Sequence, residues 1–171
     1  MRYFWRRMKK LKLPPGVRED FELLLAEGAA RWPQFEKRFA AALANAWSRL
    51  SQAQKTILLN SWAQWEKRRK PQAWVKFVET LAPEISDPKV WGFYQPDGGI
   101  FNIVVPPCLA MPENVLNVFV ARELHRAVVV AEGTGAENPP LMDGEVSARL
   151  RQAGYDEELL LRWVAEHGGS A

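Results

Sequence analysis

Four residues able to carry charge stand close together in an otherwise apolar stretch, residues 117–132. Arg122, Glu123, His125 and Arg126 fall within little more than one turn of a helix. A carboxylate can act as a general base and an imidazole can bind a metal. A guanidinium is always protonated and has no lone pair to offer a metal. Because charged side chains are almost never fully buried unless they are paired, a buried helix here requires charge partners.

Residues 121–127, Ala-Arg-Glu-Leu-His-Arg-Ala, resemble the zinc-protease helix Ala-His-Glu-Leu-x-His-Ala, with arginine in place of both histidines. In that family the two histidines bind Zn²⁺ from one helix face, and the glutamate between them polarises the attacking water. The resemblance places Arg122 and Arg126 at the former metal positions and Glu123 at the position of a vestigial general base. It therefore implies a protein with no metal, no cofactor and no catalytic residue.

Two neighbouring motifs extend this resemblance over residues 89–171. The sequence Glu-Val-Ser-Ala, which begins at Glu145, is similar to the Glu-x-x-Ala signature that supplies the third zinc ligand in small glutamate-type zincins. Upstream, the segment Gln95-Pro-Asp-Gly-Gly99 lies between two apolar runs and predicts a β-hairpin. Small zincins place such a strand before the metal helix, as an edge along which an extended peptide lies. The residues expected to form that edge are Ile100, Phe101, Asn102, Ile103 and Val104.

A zincin-like site without metal would still contain two carboxylates that need neutralising. Our hypothesis is that Arg122 and Arg126 pair with Glu123 and Glu145 through charge-assisted hydrogen bonds. The alternative is an ordinary core helix whose polar face meets solvent or another helix.

Two other chemistries use His125. It could form a nucleophile pair with Cys108, although a cysteine more often behaves as a small buried hydrophobe. It could also join Glu123 and Glu145 in a non-standard metal site of an active hydrolase. Since the family motif gives this position no ligand role, we expect His125 to face solvent or to be capped.

The charge of the chain is unevenly distributed. Residues 1–88 contain 17 Lys and Arg against 9 Asp and Glu, a net charge of +8, whereas residues 89–171 contain 6 against 11, a net charge of −5. The basic half suggests an alternative function, a small helical module that binds nucleic acid. Its candidate phosphate contacts are Arg6, Arg7, Lys9, Lys10, Lys67, Arg68 and Arg69. The simpler interpretation is a solvated tail and a run of cations that complements a helix dipole.

Spacing and breaker residues predict the elements that position these groups. Residues 1–16 read as a basic tail and residues 17–88 as a helical subdomain, with helices near 17–31, from Pro33, from the capping box at Ser51 to Lys70, and over 72–81. Residues 89–171 form the zincin-like core, either separate from or compact with the helical part. In that core we expect a hairpin, a central helix from Pro112 or Glu113 to Gly133, a loop over 134–143, and helices at 145–153 and from Asp156.

The expected fold is therefore α+β, with a helical N-terminal part followed by a hairpin or small antiparallel sheet on the central helix and two C-terminal helices. The single cysteine and the absence of a signal-peptide pattern indicate a cytoplasmic protein. The expected function is that of a catalytically inactive zincin-like protein that binds a protein or peptide partner. The sequence does not indicate an oligomeric state.

Overall fold

Five strands and five α-helices make up the part of the chain that the computed structural model describes, residues 9–63, 69–80, 91–133 and 139–168. The strands are β1 (Lys10–Leu11), β2 (Glu22–Leu25), β3 (Gln72–Val78), β4 (Gly92–Gln95) and β5 (Ile100–Val104). The helices are α1 (Pro33–Ser48), α2 (Gln52–Ser61), α3 (Glu113–Glu132), α4 (Pro139–Gln152) and α5 (Glu157–Glu166), and a 3₁₀ turn covers Pro106–Cys108. The predicted α+β class is confirmed.

All five strands form one mixed sheet in the order β1-β2-β3-β5-β4. The three inner strands β2, β3 and β5 run parallel, and the end strands β1 and β4 are antiparallel to their neighbours. Strand β3 pairs with β5 from Trp74 opposite Ile100 to Val78 opposite Val104. The sheet thus joins strands from the basic first half of the chain to strands from the acidic second half.

The predicted hairpin is confirmed by the pairing of β4 with β5. Gln95 lies opposite Ile100, and the turn between them contains Gly98 and Gly99 with φ angles of 91° and 66°. Because L side chains rarely adopt such angles, the Gly-Gly pair is the feature that allows this turn.

The helix predicted near residues 17–31 is wrong. Residues 15–20 form turns, and the following apolar run is strand β2, in which Leu23, Leu24 and Leu25 are all buried. Successive residues of β2 are buried on both sides of the strand, so the strand is an unbroken apolar run, which can resemble one face of a helix.

The helix predicted over residues 72–81 is also wrong, because residues 72–78 form strand β3. Ala73, Val75 and Phe77 are fully buried and alternate with partly exposed neighbours, which is the two-residue period of a strand. Residue 81 lies outside the described part of the chain. The alternation was visible in the sequence and was the better signal.

The second and third predicted helices begin where expected. Helix α1 has Pro33 at its first position, and Ser51 and Gln54 form both hydrogen bonds of the capping box of α2. The prediction that the latter helix reaches Lys70 is wrong, because α2 ends at Ser61. The buried Trp62 follows, and its carbonyl accepts a hydrogen bond from the Gln72 amide, so the chain has already turned toward β3.

Helix α3 is the central helix, in contact with α1, α2, α4, α5 and β4. It begins after Pro112 and ends at Gly133, whose left-handed φ of 75° stops the helix as predicted. The predicted loop over 134–143 is too long at its C-terminal end, since α4 already begins at Pro139. Helix α5 begins after Asp156, as predicted.

Candidate functional site

The central helix carries its four chemical residues on the side that meets β4, α4 and α5. Arg122, Glu123 and His125 are 6 %, 4 % and 1 % exposed, and Arg126 is partly buried. These groups are therefore held in a medium of low polarity, where an unpaired charge is costly and a paired one is strongly held. Their partners decide what the site can do.

Glu123 and Arg126 form an ion pair one helical turn apart. The Nη1 atom of Arg126 donates to both carboxylate oxygens of Glu123 at 2.9 Å. The two side chains are only 5 % and 13 % exposed, so little water competes for these hydrogen bonds. The pairing expected between these two residues is present.

Strand β4 packs directly on this ion pair through Gly92. A Cβ atom added at Gly92 would lie 2.5 Å from the Cδ atom of Glu123, a distance that real Cβ contacts do not show. The Nη1 atom of Arg126 also donates a long hydrogen bond of 3.5 Å to the Gly92 carbonyl. The absence of a side chain at Gly92 allows the strand to cover the carboxylate.

Arg122 has no comparable hydrogen-bonded partner. Its Nε and Nη1 atoms are buried, and within the described structure neither has a hydrogen-bond acceptor. Burial, followed by the positive charge of Arg126, lowers the pKa of Arg122, while the carboxylates of Glu123, Glu157 and Asp143 act in the opposite direction. Arg122 therefore carries a buried charge that is balanced only at a distance.

The expected role of Glu145 is wrong. Its side chain is 48 % exposed and lies 3.6 Å from the Nε atom of Arg149, four residues later on α4. Arg149 also makes two hydrogen bonds to Glu132, at 2.8 and 2.5 Å. The cation that holds Glu145 is thus Arg149, on its own helix, and the four-residue cluster proposed from the sequence does not form.

His125 is buried, contrary to the expectation that it faces solvent. Its ring packs edge-on against the ring of Tyr155, with a centroid distance of 6.5 Å, and neither ring nitrogen has a hydrogen-bond partner in the residues described. Burial, together with the charge of Arg149, lowers the pKa of His125 to about 4. The imidazole is therefore neutral at physiological pH and acts as a core side chain.

The donor set of Arg122, Glu123 and Arg126 does not fit zinc. Guanidinium groups cannot coordinate a metal ion, and both Glu123 oxygens already accept hydrogen bonds from Arg126. In the described ranges, no three His, Cys, Asp or Glu side chains converge closely enough to hold a metal ion. The non-standard site with His125, Glu123 and Glu145 fails because Glu145 is directed to Arg149.

Cys108 is a buried thiol, consistent with the simpler interpretation of this residue. It is 0 % exposed, and its Sγ lies 3.3 Å from the carbonyl oxygen of Val104, to which it donates. Burial, with a contribution from the charge of Glu123, raises the pKa of Cys108 well above its usual value. Because the thiolate is the reactive form, this environment opposes a nucleophilic role.

The predicted peptide-binding edge is assigned to the wrong strand. The residues Ile100, Phe101, Asn102, Ile103 and Val104 form β5, which lies between β3 and β4 and is paired on both sides. The end strand of the described sheet beside α3 is β4. The error arises because the parallel pairing of β3 with β5 is a long-range contact, which the hairpin pattern does not contain.

The structure describes only some of the basic residues that were predicted to contact phosphate. Arg6, Arg7, Lys67 and Arg68 lie outside the described residues, as does the loop segment 134–138. Lys9 is exposed, Arg69 is described, and Lys10 donates to Glu22 at 3.0 Å. Lys10 lines an open cleft of about 400 Å³ together with Lys12, Arg18, Lys70, Glu19 and Glu22.

The neighbours that matter most were not named from the sequence. Gly92 lies against Glu123 and Tyr155 against His125. The charges of Asp143 and Glu157 act on Arg122, and the charge of Arg149 acts on His125. Of these residues, only Arg149 could have been predicted as a partner from the sequence, since it stands four residues after Glu145 on a predicted helix. The others reach the site through tertiary packing.

Comparisons with protein-family models, with curated proteins and with solved structures find no match for this chain. Among the helices described, none is long and apolar enough to cross a lipid bilayer. The function is therefore argued from the geometry of this site.

Proposed function

We propose that this chain is a catalytically inactive zincin-like protein that binds a protein or peptide partner. The observation that carries the proposal is the Glu123–Arg126 ion pair beneath strand β4. The glutamate at the general-base position of the resembled motif is neutralised by the arginine at a metal position. A structural role is what remains for this glutamate.

The chemical reason for inactivity lies in the two arginines. Zinc proteases lower the pKa of a metal-bound water and stabilise the charge that develops on the substrate carbonyl. Arg122 and Arg126 cannot bind the metal, and the hydrogen bonds from Arg126 hold the carboxylate that would take the proton from water. Hydrolysis by the zincin mechanism therefore has neither its Lewis acid nor a free base.

The architecture around α3 supports the binding role. The resemblance implies an edge strand next to the former metal helix, and β4 is an antiparallel end strand in contact with α3. The carbonyl of Trp91 accepts from the Val104 amide, so the pairs Phe93–Asn102 and Gln95–Ile100 are the hydrogen-bonded ones. The amide groups of Gly92 and Tyr94 consequently point away from β5. An extended peptide would add to the sheet through these two residues, and at Gly92 it would replace the long hydrogen bond that Arg126 donates to the carbonyl.

Hydrogen exchange on β4 tests this proposal. Ten-residue peptides selected from a random displayed library on the full chain serve as the probe, and amide exchange is measured with and without the tightest binder. We expect slower exchange at Gly92 and Tyr94 and unchanged exchange at Phe93 and Gln95, whose amides already bond to β5. Binding that protects none of the outward amides, or selection of no binder at all, contradicts strand addition.

Restoring the metal ligands tests the zincin-like part separately. The double variant Arg122→His plus Arg126→His is expected to take up about one zinc ion, and the wild-type chain none. The control is Arg151→His plus Arg162→His, which adds two histidines at exposed arginine positions. Stoichiometric metal in the wild type, or equal uptake by both double variants, would refute the zincin-like assignment.

A second candidate function is nucleic-acid binding, favoured by the cleft that Lys10, Lys12, Arg18 and Lys70 line. It ranks second because Lys10 pairs with Glu22, and Arg18 pairs with Glu19. Binding of a mixed-sequence RNA or DNA that weakens steeply with salt would support it. No binding at low salt would remove it.

A cytoplasmic location belongs to the same proposal. Its support is the single cysteine, Cys108, which is buried and unpaired.

A further inference from the structure

Arg122 is the charged group of the central helix for which the described fold provides no hydrogen-bonded counterion. The residue is only 6 % exposed, and its Nε and Nη1 donors meet no acceptor among the described residues. A guanidinium cannot lose its proton at physiological pH, so it cannot escape the cost of burial by becoming neutral. Both donors lack a partner, and because neither atom is accessible in this structure, an acceptor from outside reaches them only if the covering side chains move aside.

None of the nearby carboxylates accepts a hydrogen bond from Arg122. Glu123 gives both oxygens to Arg126, and Glu157 accepts from the Ser147 hydroxyl at 3.0 Å. Asp143 is exposed, where water screens its charge. These groups moderate the charge of Arg122 without filling its donors.

We propose that Arg122 binds a carboxylate of the partner, so that the recognised protein or peptide segment contains an Asp or Glu at this point. The inference rests on the proposed binding function and names the chemistry of its partner. A carboxylate matches the planar guanidinium because it accepts two parallel charge-assisted hydrogen bonds. A neutral carbonyl would accept a hydrogen bond but would leave the buried charge uncompensated.

Because Glu123 pairs with Arg126, Arg122 is the one of these two arginines whose donors remain for a partner. Arg126 is satisfied inside the helix, whereas Arg122 is not, although both stand at the positions that carry histidine in the resembled motif. The difference arises from the helix geometry, since Arg126 lies one turn after Glu123 and Arg122 is its immediate neighbour. One arginine thus neutralises the carboxylate of the fold and the other is left for the partner.

Acetate is the probe for the first experiment. The Nε–H signals of the arginine side chains are followed by nuclear magnetic resonance while sodium acetate is added at constant ionic strength, and Arg122→Lys identifies the Arg122 signal. We expect a saturable shift of that signal with a dissociation constant on the order of 1–10 mM. The signal of Arg149, which already has two bonds to Glu132, is the internal control and should stay in place.

Two parallel titrations separate a carboxylate from other ligands. Acetamide has nearly the same shape as acetate but no charge. The chloride ion has the negative charge but not the two carboxylate oxygens. An equal shift with acetamide, an equal shift with chloride, or no saturable shift with acetate overturns the inference.

The selected peptides provide the second arm. Replacing the acidic residue of a binder by its amide should weaken binding at least tenfold to the wild type and less than twofold to Arg122→Met, which has no charge at this position. If peptides protect Gly92 and Tyr94 but acetate does not reach Arg122, this inference fails and the proposed function stands. If acetate binds Arg122 but no peptide adds to β4, the proposed function fails and the carboxylate site stands.

Discussion

The Nη1 atom of Arg126 lies 2.9 Å from each carboxylate oxygen of Glu123, and strand β4 covers the pair through the bare backbone of Gly92. Two charged residues of the central helix thereby form an internal structural contact. Their mutual neutralisation explains how the central helix can carry a carboxylate that is 4 % exposed.

Removing the cation of this pair should destabilise the protein strongly. In Arg126→Met, Glu123 keeps its buried charge without a counterion, and we expect a loss of about 3–5 kcal/mol in the free energy of unfolding. Urea denaturation measures it. The double variant Arg126→Met plus Glu123→Leu should recover most of the loss, and a double variant as unstable as the single one would show that the pair does not act as a unit.

Removing the charge of Arg122 should instead stabilise the protein. Arg122→Met replaces an uncompensated buried cation by an apolar side chain of similar length, and we expect a gain of about 1–4 kcal/mol in unfolding free energy. The same urea titration compares it with Arg126→Met. A loss of stability in Arg122→Met would mean that Arg122 has a counterion within the fold.

Adding a methyl group to strand β4 should disturb the site. In Gly92→Ala the new Cβ would lie 2.5 Å from the Cδ of Glu123, so the strand or the carboxylate must move, at a cost of about 1–3 kcal/mol. Gly144→Ala is the matched control, because nothing lies within 4 Å of its Cβ position and its site is helical. That control should be stabilised by about 0.5–1 kcal/mol, the ordinary gain of alanine over glycine in a helix.

His125 should make the protein sensitive to mild acid. Its pKa is about 4 in the folded state against 6.5 for an exposed histidine, so the unfolded chain binds the proton first. Its contribution is complete above pH 6.5, falls as the pH drops toward 4, and reaches a loss of about 3 kcal/mol below that.

Unfolding free energies measured between pH 7 and pH 4 test this dependence. The variant His125→Leu should lose this component of the pH profile, whereas His167→Gln, at an exposed histidine, should keep it. Equal pH profiles for His125→Leu and the wild type would contradict the burial of a neutral imidazole.

Features set by neighbours in the chain were predictable. The capping box at Ser51, the stop of α3 at Gly133 and the hairpin turn at Gly98 and Gly99 all appear where the sequence indicates them. The Glu123–Arg126 contact belongs to the same group, because residues three apart on a helix are adjacent in space. Each depends on a few consecutive residues.

Strands β2 and β3 were missed for two different reasons. The run Leu23–Leu25 has no alternation because it is buried on both faces, so its period gave no strand signal. The alternation of Ala73, Val75 and Phe77 was present, but an apolar stripe at helical spacing was given more weight. With both segments assigned to helices, the parallel sheet could not be assembled.

The sequence alone indicated the α+β class, the hairpin and the central helix, because these follow from local spacing and turn chemistry. It also placed Glu123 among two candidate arginine partners without deciding between them. Only the tertiary structure decided that β4 is the end strand, that His125 is buried and that Arg122 lacks an acceptor. The physical reason is that each of these depends on which distant segment packs nearby. The parallel pairing of β3 with β5 and the approach of β4, α4 and α5 to α3 join residues far apart in the chain, and no local pattern specifies those contacts.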